Sequence, residues 1–398
     1  MKKKALFALA ALFLLDSCTL RQAVNIAVSK DPQKALEALA DSKIERYKGD
    51  PFAAVDDFKK ARAEFNKMMS RLSKASGEKW GKKEVELPTK TRYVKYTQNY
   101  KSRAIVDFDS GQVVIETIND TEKTEEHLKN AVVTTLLTPS DPRSVDLFSD
   151  KQVELSGTPY MYGLVSDHRN KLIESPEDAE QYADHLVNNQ LLTRMIETDS
   201  GQKELKYVKF GMVNGHIDKR ALKYEPMVEK YAASANVSKS LVLAIMKTES
   251  AFNPYAISPV PAYGLMQLVP SSGGKDAYRK VKGVSREPDK EFLFVPENNI
   301  ELGTAYLNML MYEYLNKIED PLSREYCVVA AYNTGAGNVL RTFSRNMTEA
   351  VGIINSLPPG EVYERLKKDL PYEETRNYIV KVINTRKSFS KTSTPESF

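Results

Sequence analysis

The sequence predicts an α+β N-terminal domain followed by an all-α domain. Apolar residues alternate in a strand-like way in several segments between residues 91 and 218, whereas beyond about residue 219 they recur at helical spacing. The length of 398 residues also exceeds what one ordinary core requires, so two folded units are expected. We therefore place the α+β domain at residues 91–218 and the all-α domain at residues 219–398.

The composition indicates that both units fold in water. Hydrophobic residues make up 41% of the chain and charged residues 28%, which excludes a polytopic membrane protein and an intrinsically disordered chain. The formal net charge is only +4, and such a balance gives no indication of nucleic-acid binding. Nucleic acid is therefore not an expected partner.

Residues 1–17 have the pattern of a secretion signal. Three lysines precede an apolar run that is too short to remain as a membrane-spanning helix, and small residues follow. The segment from Leu15 to Cys18 resembles the bacterial lipobox, in which the cysteine is diacylated and becomes the new N-terminus, although Asp16 departs from that pattern. Two acyl chains would make membrane attachment stable.

The residue after the predicted lipidation site indicates the destination. Thr19 stands where an aspartate would be typical of the inner membrane, so we expect an outer membrane lipoprotein that faces the periplasm of a Gram-negative bacterium. A plain secreted protein with a free Cys18 is the alternative. From residue 18 to residue 90 the chain is charged and helix-prone with short apolar clusters, which predicts helices on a tether.

Strand and turn patterns follow the tether. Two β-prone runs, 104–108 and 113–118, flank Asp109-Ser110-Gly111 and predict a hairpin. Residues 123–137 return to a helical pattern. Further β-prone stretches near 151–166 and 205–218 complete the prediction of a mixed α+β domain.

In the all-α half, a helix that begins with Ser238 as N-cap carries a single carboxylate on its apolar face. The i, i+3, i+4 and i+7 positions of that face are Val242, Ile245, Met246 and Glu249. Because burial disfavours an ionised carboxylate, the pKa of Glu249 should be raised, and the group could then deliver a proton near neutral pH. Catalytic carboxyls in glycoside cleavage are tuned in this way. A glutamate that reaches water at the helix end is the alternative, and the spacing alone does not decide between them.

Two short motifs downstream carry polar groups suited to a sugar ligand. The segment Gly264-Leu-Met-Gln267 combines a glycine that permits close backbone approach with an amide that donates and accepts hydrogen bonds. The pair Tyr332-Asn333 ends an apolar helix and could bond sugar hydroxyls and acetamides. Taken alone, this pair also reads as an ordinary helix C-terminus before Gly335.

The combination of motifs is more specific than any one of them. Four segments, in this order, resemble the soluble-type lytic transglycosylases, a family with a goose-type lysozyme fold: Glu249-Ser250, Gly264–Gln267, Ala331–Asn333 and Glu374–Tyr378. Three earlier segments resemble the N-terminal domain of membrane-bound members of that family: Tyr93–Thr97, Ile115–Ile118 and Ser144–Asp150. Residues 219–398 are accordingly expected to form a lysozyme-like catalytic domain.

The resemblance implies roles for individual residues. Glu249 matches the catalytic acid/base. Six residues match positions that bind the substrate, by lining the glycan groove or supporting the glutamate: Ser250, Ser258, Gln267, Tyr332, Asn333 and Tyr378. The chain departs from the usual family pattern at Pro259, Pro261 and Tyr263, which affects the expected shape of the groove rather than the chemistry.

The reaction that the resemblance implies is cleavage of peptidoglycan glycan strands between N-acetylmuramic acid and N-acetylglucosamine to leave 1,6-anhydro ends. Glycosidases usually pair two carboxylates, but the segment around Glu249 contains only one. A substrate that supplies its own nucleophile would make one sufficient. The alternatives are a hydrolytic lysozyme and a non-catalytic lipoprotein that binds the cell wall.

No metal or cofactor is expected. Four histidines lie scattered without the spacing of metal ligands: His127, His168, His185 and His216. After Cys18 the one remaining cysteine is Cys327, which its apolar surroundings assign to the core and which has no partner for an intrachain disulfide.

Overall fold

The computed structural model of the chain describes residues 53–390, with side chains from residue 62 onward. The predicted secretion signal, the predicted lipidation at Cys18 and the tether up to residue 52 lie outside the described residues. The later part of the tether is helical as expected, with α1 at Ala53–Trp80 and a short 3-10 turn at Lys82–Glu84.

One antiparallel sheet of five strands organises the N-terminal unit. The strands are β1 Arg92–Thr97, β2 Ser102–Asp107, β3 Gln112–Ile118, β4 Leu192–Thr198 and β5 Gly201–Gly211, arranged in the order β1-β2-β3-β5-β4. The predicted hairpin is the β2-β3 pair, in which Asp107 faces Gln112. Gly111 has a φ of 75°, a left-handed conformation that favours glycine, and it closes the turn.

The sheet carries a core on each face, with successive strand residues pointing to opposite sides, while most of the edge strand β4 is exposed. On one face α1 covers a small core that contains Leu72, Trp80 and Val94. On the other face α2, Thr124–Leu136, packs against β2, β3 and β5, and α3, Pro176–Asn189, packs on α2. The predicted helix at 123–137 is therefore confirmed and forms part of the larger core.

Three features of this unit differ from the sequence prediction. Residues 151–166 contain no strand and form turns with isolated bridges, such as Pro139 to Pro159. The β-prone stretch at 205–218 is the end of β5, and α4 already begins at His216. The sequence prediction also omitted α3 and β4, although the hydroxyl of Ser175, which accepts from the backbone N–H of Asp178, is an ordinary N-cap signal.

The second unit is all-α, which confirms the predicted order of fold classes. Its elements are α4 His216–Ala235, α5 Lys239–Ser250, α6 Gly273–Lys282, α7 Lys290–Phe294, α8 Pro296–Met309, a π-helical turn at Leu310–Tyr314, α9 Pro321–Thr334, α10 Ala336–Arg341, α11 Met347–Ser356, α12 Pro359–Asp369 and α13 Glu373–Ser390. Helix α5 lies at the centre, packed against α4 and α13, and is buried continuously from Ser240 to Met246. Cys327 is fully buried in α9, as expected.

The two units share one continuous core. The ring of Tyr255 lies 5.1 Å from that of Tyr93 on β1 and 6.1 Å from that of Tyr160. The Tyr160 hydroxyl donates to the backbone carbonyl of Phe252 at 2.7 Å. The N-terminal unit thus packs against the segment that follows Glu249 directly in the chain.

Candidate active site

Helix α5 ends in a sharply bent segment that fixes the position of Glu249. After Ser250, both Ala251 and Phe252 have left-handed backbone conformations, with φ values of 48° and 58°. Such conformations are unfavourable for residues with a Cβ and persist where the surrounding structure imposes them. Both side chains are fully buried, so the core holds the end of the helix in this form.

The Glu249 side chain is buried, which decides between the two alternatives that the spacing left open. The residue is 7% exposed. Burial is the main cause that raises the pKa of Glu249 to about 7, opposed by the cation of Lys90 and by the Tyr378 hydroxyl, and reinforced by the negative charge of Glu374. The carboxyl can therefore hold a proton at neutral pH and also release it.

Two tyrosines from different helices face this carboxyl. Burial, followed by the charge of Glu249, raises the pKa of both Tyr332 on α9 and Tyr378 on α13 well above the usual value, so both remain neutral donors. The Tyr332 hydroxyl donates to the carbonyl of Met266 at 2.8 Å. The Tyr378 hydroxyl lowers the pKa of Glu249, although its geometry toward that carboxyl falls short of a full hydrogen bond. It has no hydrogen-bond partner among the described residues.

The predicted Gly264–Gln267 segment forms a tight turn beside the end of α5. Gly264 has a φ of 73°, and a Cβ there would lie 2.5 Å from the Asn299 side-chain nitrogen, so no larger residue fits. Gln267 is also left-handed, with a φ of 48°. Its Nε2 donates to the carbonyls of Ala256 and Gly264, each at 3.0 Å, while its Oε1 has no donor in the described part of the chain.

Asn299 on α8 holds this turn, and the sequence analysis did not identify it. Its Oδ1 accepts from the Met266 N–H at 2.7 Å, and its Nδ2 donates to the carbonyls of Tyr263 and Leu293, each at 2.8 Å. The side chain is fully buried with these three bonds. The sequence does carry a signal for Asn299, because it is an asparagine on an otherwise apolar face of a helix. A buried amide in such a place usually bonds backbone groups.

The two serines predicted at the site lie in different environments. Ser250 is fully buried, and its hydroxyl donates to the carbonyls of Met246 and Leu265, the latter at 2.8 Å. This geometry suits support of the turn rather than direct contact with a ligand. Ser258 lies at the loop tip, where its hydroxyl donates to the carbonyl of Val260.

The residues that depart from the family pattern shape this loop. Pro259 is exposed at the tip, whereas Pro261 and Tyr263 are buried. The Tyr263 ring packs on Phe294 with centroids 5.5 Å apart. Tyr263 also forms bridges with Ile257 and Leu268, so the loop is closed at its base.

Helix α13 brings the last predicted motif to the site. The hydroxyl of Thr375, a residue within this motif, donates to Oδ1 of Asn333 at 2.7 Å, which orients the amide and leaves its N–H groups free to donate. Glu374 is 76% exposed and lies 3.9 Å from the ammonium of Lys90, a residue of the N-terminal unit. Glu249, Gln267, Tyr332, Asn333 and Tyr378 are thus gathered around the end of α5.

The histidines are not part of this arrangement. Among residues 62–390 no three side chains of the ligand types converge as a metal site. His168 and His185 stack in the N-terminal unit with ring centroids 3.6 Å apart.

Comparison with known proteins assigns the family. The model for the N-terminal domain of membrane-bound lytic murein transglycosylase C matches residues 58–223, and the transglycosylase SLT domain model matches residues 226–354. The membrane-bound lytic murein transglycosylase C of Yersinia pestis strain Pestoides F is 45% identical over 313 residues, which are 78% of this chain and 86% of that protein. The chain belongs to the membrane-bound lytic murein transglycosylase C family. The family expected from the sequence motifs is therefore confirmed.

A relative in Yersinia pseudotuberculosis serotype O:1b has the same name, identity and coverage. Among solved structures, an inactive mutant of the lytic transglycosylase Slt of Pseudomonas aeruginosa is 28% identical, with a TM-score of 0.34, over 42% of this chain and 24% of that one. The 70 kDa soluble lytic transglycosylase of Escherichia coli is 27% identical, with a TM-score of 0.34, over 44% and 25%. As a member of the transglycosylase C family this chain is an enzyme, so the non-catalytic alternative is set aside.

Proposed function

We propose that this lytic transglycosylase cleaves the glycan strands of peptidoglycan without consuming water, with Glu249 as its single acid and base. The observation that carries the proposal is the state of this carboxyl. It is buried at the end of α5, and its pKa is raised to about 7. A group poised near the working pH can both give and take a proton.

In the first step Glu249 protonates the oxygen that links N-acetylmuramic acid to N-acetylglucosamine. The bond from this oxygen to C1 of the muramic acid breaks, and the substrate's own acetamide stabilises the positive charge that develops at C1. The carboxylate left on Glu249 then removes the proton from the C6 hydroxyl, whose oxygen bonds to C1. The product has a 1,6-anhydro end, and Glu249 returns to its protonated form.

We assign the neighbouring polar groups to hold the sugar in register. Gln267 Oε1 lacks a protein donor among the described residues and would accept from a sugar N–H or O–H. Asn333 keeps its amide donors because Thr375 occupies only its oxygen. Correct orientation of reacting groups contributes up to about 7–11 kcal/mol in the best cases. Ser250 and Ser258 would support the loop that carries Gln267.

Mass spectrometry of the products tests this proposal. Purified sacculi digested with the enzyme should release fragments with anhydro ends, each lighter by one water than a hydrolysed end. Glu249→Gln should lower the rate by at least about a thousandfold, since the variant loses both proton transfers. Retained turnover in that variant, with unchanged folding by circular dichroism, would refute the role of Glu249.

Hydrolysis is the second candidate, and Glu374 is the residue that it would need. This carboxylate acts on Glu249 and is exposed enough to hold a water molecule. Its contact with Lys90 and its exposure place it at the solvated rim of the site. Hydrolysed ends in the product mixture, abolished by Glu374→Gln, would favour this mechanism instead.

Lipid attachment remains part of the proposal. No helix within residues 53–390 is long and apolar enough to cross a membrane. We propose that Cys18 is acylated and anchors the enzyme to the outer membrane, with residues 18–90 as the tether and helical segment, 91–218 as the α+β domain and 219–398 as the catalytic domain. Because α1 packs on the sheet and Lys90 directly precedes β1, this end of the helical segment belongs to the N-terminal unit. Cys18→Ala should abolish incorporation of labelled palmitate and release the enzyme from the membrane fraction, whereas Cys327→Ala should do neither.

A further inference from the structure

We infer that Lys90, a residue of the N-terminal unit, is a positioning residue for the reaction: its ammonium and the Glu374 carboxylate act as opposing charges on Glu249. This inference rests on the acid/base role proposed for Glu249. It also assigns to the N-terminal unit a direct influence on the reaction.

The backbone around Lys90 is held from within its own unit. Thr89 and Arg92 bond each other twice: the Thr89 N–H donates to the Arg92 carbonyl at 2.9 Å, and the Arg92 N–H donates to the Thr89 hydroxyl at 3.2 Å. The carbonyl of Thr91 accepts from the Phe108 N–H at 2.9 Å. Lys90 is therefore presented by a short turn whose two sides are fixed at the start of β1.

A second set of contacts ties this turn to the catalytic unit. The side-chain nitrogen of Asn253 donates to the Lys90 carbonyl at 3.2 Å. Asn253 is fully buried, its N–H donates to the Ser250 carbonyl at 2.9 Å, and its Oδ1 accepts from the Tyr255 N–H at 3.0 Å. The backbone of Lys90 is thus joined through one side chain to the segment directly after Glu249.

The side chain of Lys90 pairs with Glu374, and its charge also acts on Glu249. Its ammonium is 3.9 Å from Glu374, and the two side chains are 38% and 76% exposed. Four groups from three elements act on or face Glu249: Lys90 from the turn before β1, Glu374 and Tyr378 from α13, and Tyr332 from α9. Lys90 is the one cation among these four, and Glu374 is the one other carboxylate.

Two opposed charges near Glu249 suit a residue that must first donate a proton and then accept one. Burial and Glu374 favour the protonated form of Glu249, which the first step needs, whereas Lys90 favours the ionised form, which the second step needs. Without the Lys90 cation, the carboxyl of Glu249 would hold its proton more tightly. The carboxylate that acts as base in the second step would then form less readily.

The pH dependence of kcat/KM on purified glycan strands tests this inference. Activity falls on the alkaline side when Glu249 loses its proton before the acid step, so that limb follows the pKa of Glu249. Lys90→Met should move the limb upward by about half a pH unit, given the partial exposure of the charge, and Glu374→Gln should move it downward. Lys90→Arg keeps a cation at this position and should have the same pH profile as the unmodified enzyme.

Lys101→Met is the matched control. Lys101 belongs to the same unit, is 31% exposed and pairs with Asp120 at 2.8 Å, so its loss removes a comparable ion pair away from the site. Its pH profile should equal that of the unmodified enzyme. Because the contact with Asn253 uses the Lys90 backbone, Lys90→Met should also leave the melting temperature nearly unchanged.

The outcomes separate this inference from the proposed function. An unshifted alkaline limb in Lys90→Met, together with an inactive Glu249→Gln, would overturn the role of Lys90 alone. An active Glu249→Gln would instead overturn the acid/base assignment on which the inference rests. Equal shifts in Lys90→Met and Lys101→Met would show a general charge effect and also contradict the inference.

Discussion

Two buried glutamates in this enzyme have opposite surroundings. Glu116 on β3 is 4% exposed and Glu249 on α5 is 7% exposed. The carboxylate of Glu116 lies 2.6 Å from the guanidinium of Arg103 and 3.1 Å from that of Arg194. Glu249 has two tyrosine hydroxyls nearby, and the cation that acts on it is the partly exposed Lys90.

The comparison shows that burial alone does not make an acid/base group. Arg103 is itself buried, and its guanidinium lies 3.9 Å from the ring centre of Trp80, so the pair with Glu116 is enclosed by the small core under α1. Each buried group of this pair therefore has an opposing partner at hydrogen-bond distance. Within residues 62–390 Glu249 has no guanidinium partner, and its raised pKa leaves its proton exchangeable near neutral pH.

Removing the paired glutamate gives the largest expected change in stability. Glu116→Gln should lower the free energy of unfolding by about 3–5 kcal/mol, because it leaves the buried charge of Arg103 without its main partner. Urea unfolding at pH 7 would measure this loss, while the rate per folded molecule should be unchanged.

The partly exposed pair of Arg92, on β1, and Glu86, in the segment before β1, provides the control for this comparison. The two groups are 3.0 Å apart, and each side chain is 33% exposed. Glu86→Gln should therefore cost less than about 1 kcal/mol. Equal losses in the free energy of unfolding for Glu86→Gln and Glu116→Gln would mean that burial of the Glu116 pair does not increase its effect on stability.

Glu249→Gln should raise the free energy of unfolding rather than lower it, and the size of this gain should depend on pH. The rise in pKa from 4.5 to about 7 means that the folded state resists ionisation by about 3 kcal/mol, at about 1.4 kcal/mol per pKa unit. Stability of the unmodified enzyme therefore falls as pH rises from 4.5 to 7, and the loss is complete above pH 7.

The variant removes this penalty. At pH 8 it should be more stable than the unmodified enzyme by about 3 kcal/mol, and near pH 4 the two should agree, since the carboxyl is then protonated in both the folded and unfolded states. Thermal unfolding across this range would measure the difference. A stability gain that is independent of pH would contradict the buried, uncompensated state of Glu249.

Local patterns predicted much of the fold and the central residue of the site. The β2-β3 hairpin, the helix at Thr124–Leu136 and the helix that carries Glu249 all follow from spacing and turn residues within short windows. Strand β4 escaped prediction because it lies at the sheet edge, where Ile196 is its one fully buried residue. An edge strand need not alternate, so its sequence carries little signal.

The partners of Glu249 could not be predicted in the same way. Lys90 lies far upstream in the chain and reaches the site only because the two units share a core. Asn299 holds the Gly264–Gln267 turn by a hydrogen bond from a distant helix. Thr375 orients Asn333 in the same way. Contacts of this kind depend on tertiary packing, which residue spacing along the chain does not encode.

A smaller effect on stability than that of Glu249→Gln is expected at Tyr332, one of the two tyrosines that face Glu249. Tyr332→Phe removes the donor to the Met266 carbonyl and should cost about 1 kcal/mol in the free energy of unfolding. Activity should fall, but by much less than in Glu249→Gln, because the tyrosine holds the turn and does not transfer the proton.

Tyr326→Phe is the matched control, since Tyr326 lies earlier on the same helix and its ring packs against Tyr363 at 4.9 Å. That variant should keep full activity. If Tyr332→Phe instead lost as much activity as Glu249→Gln, the tyrosine hydroxyl would have to take part in the proton transfer. The contrast between the two buried glutamates would then no longer explain which residue performs the chemistry.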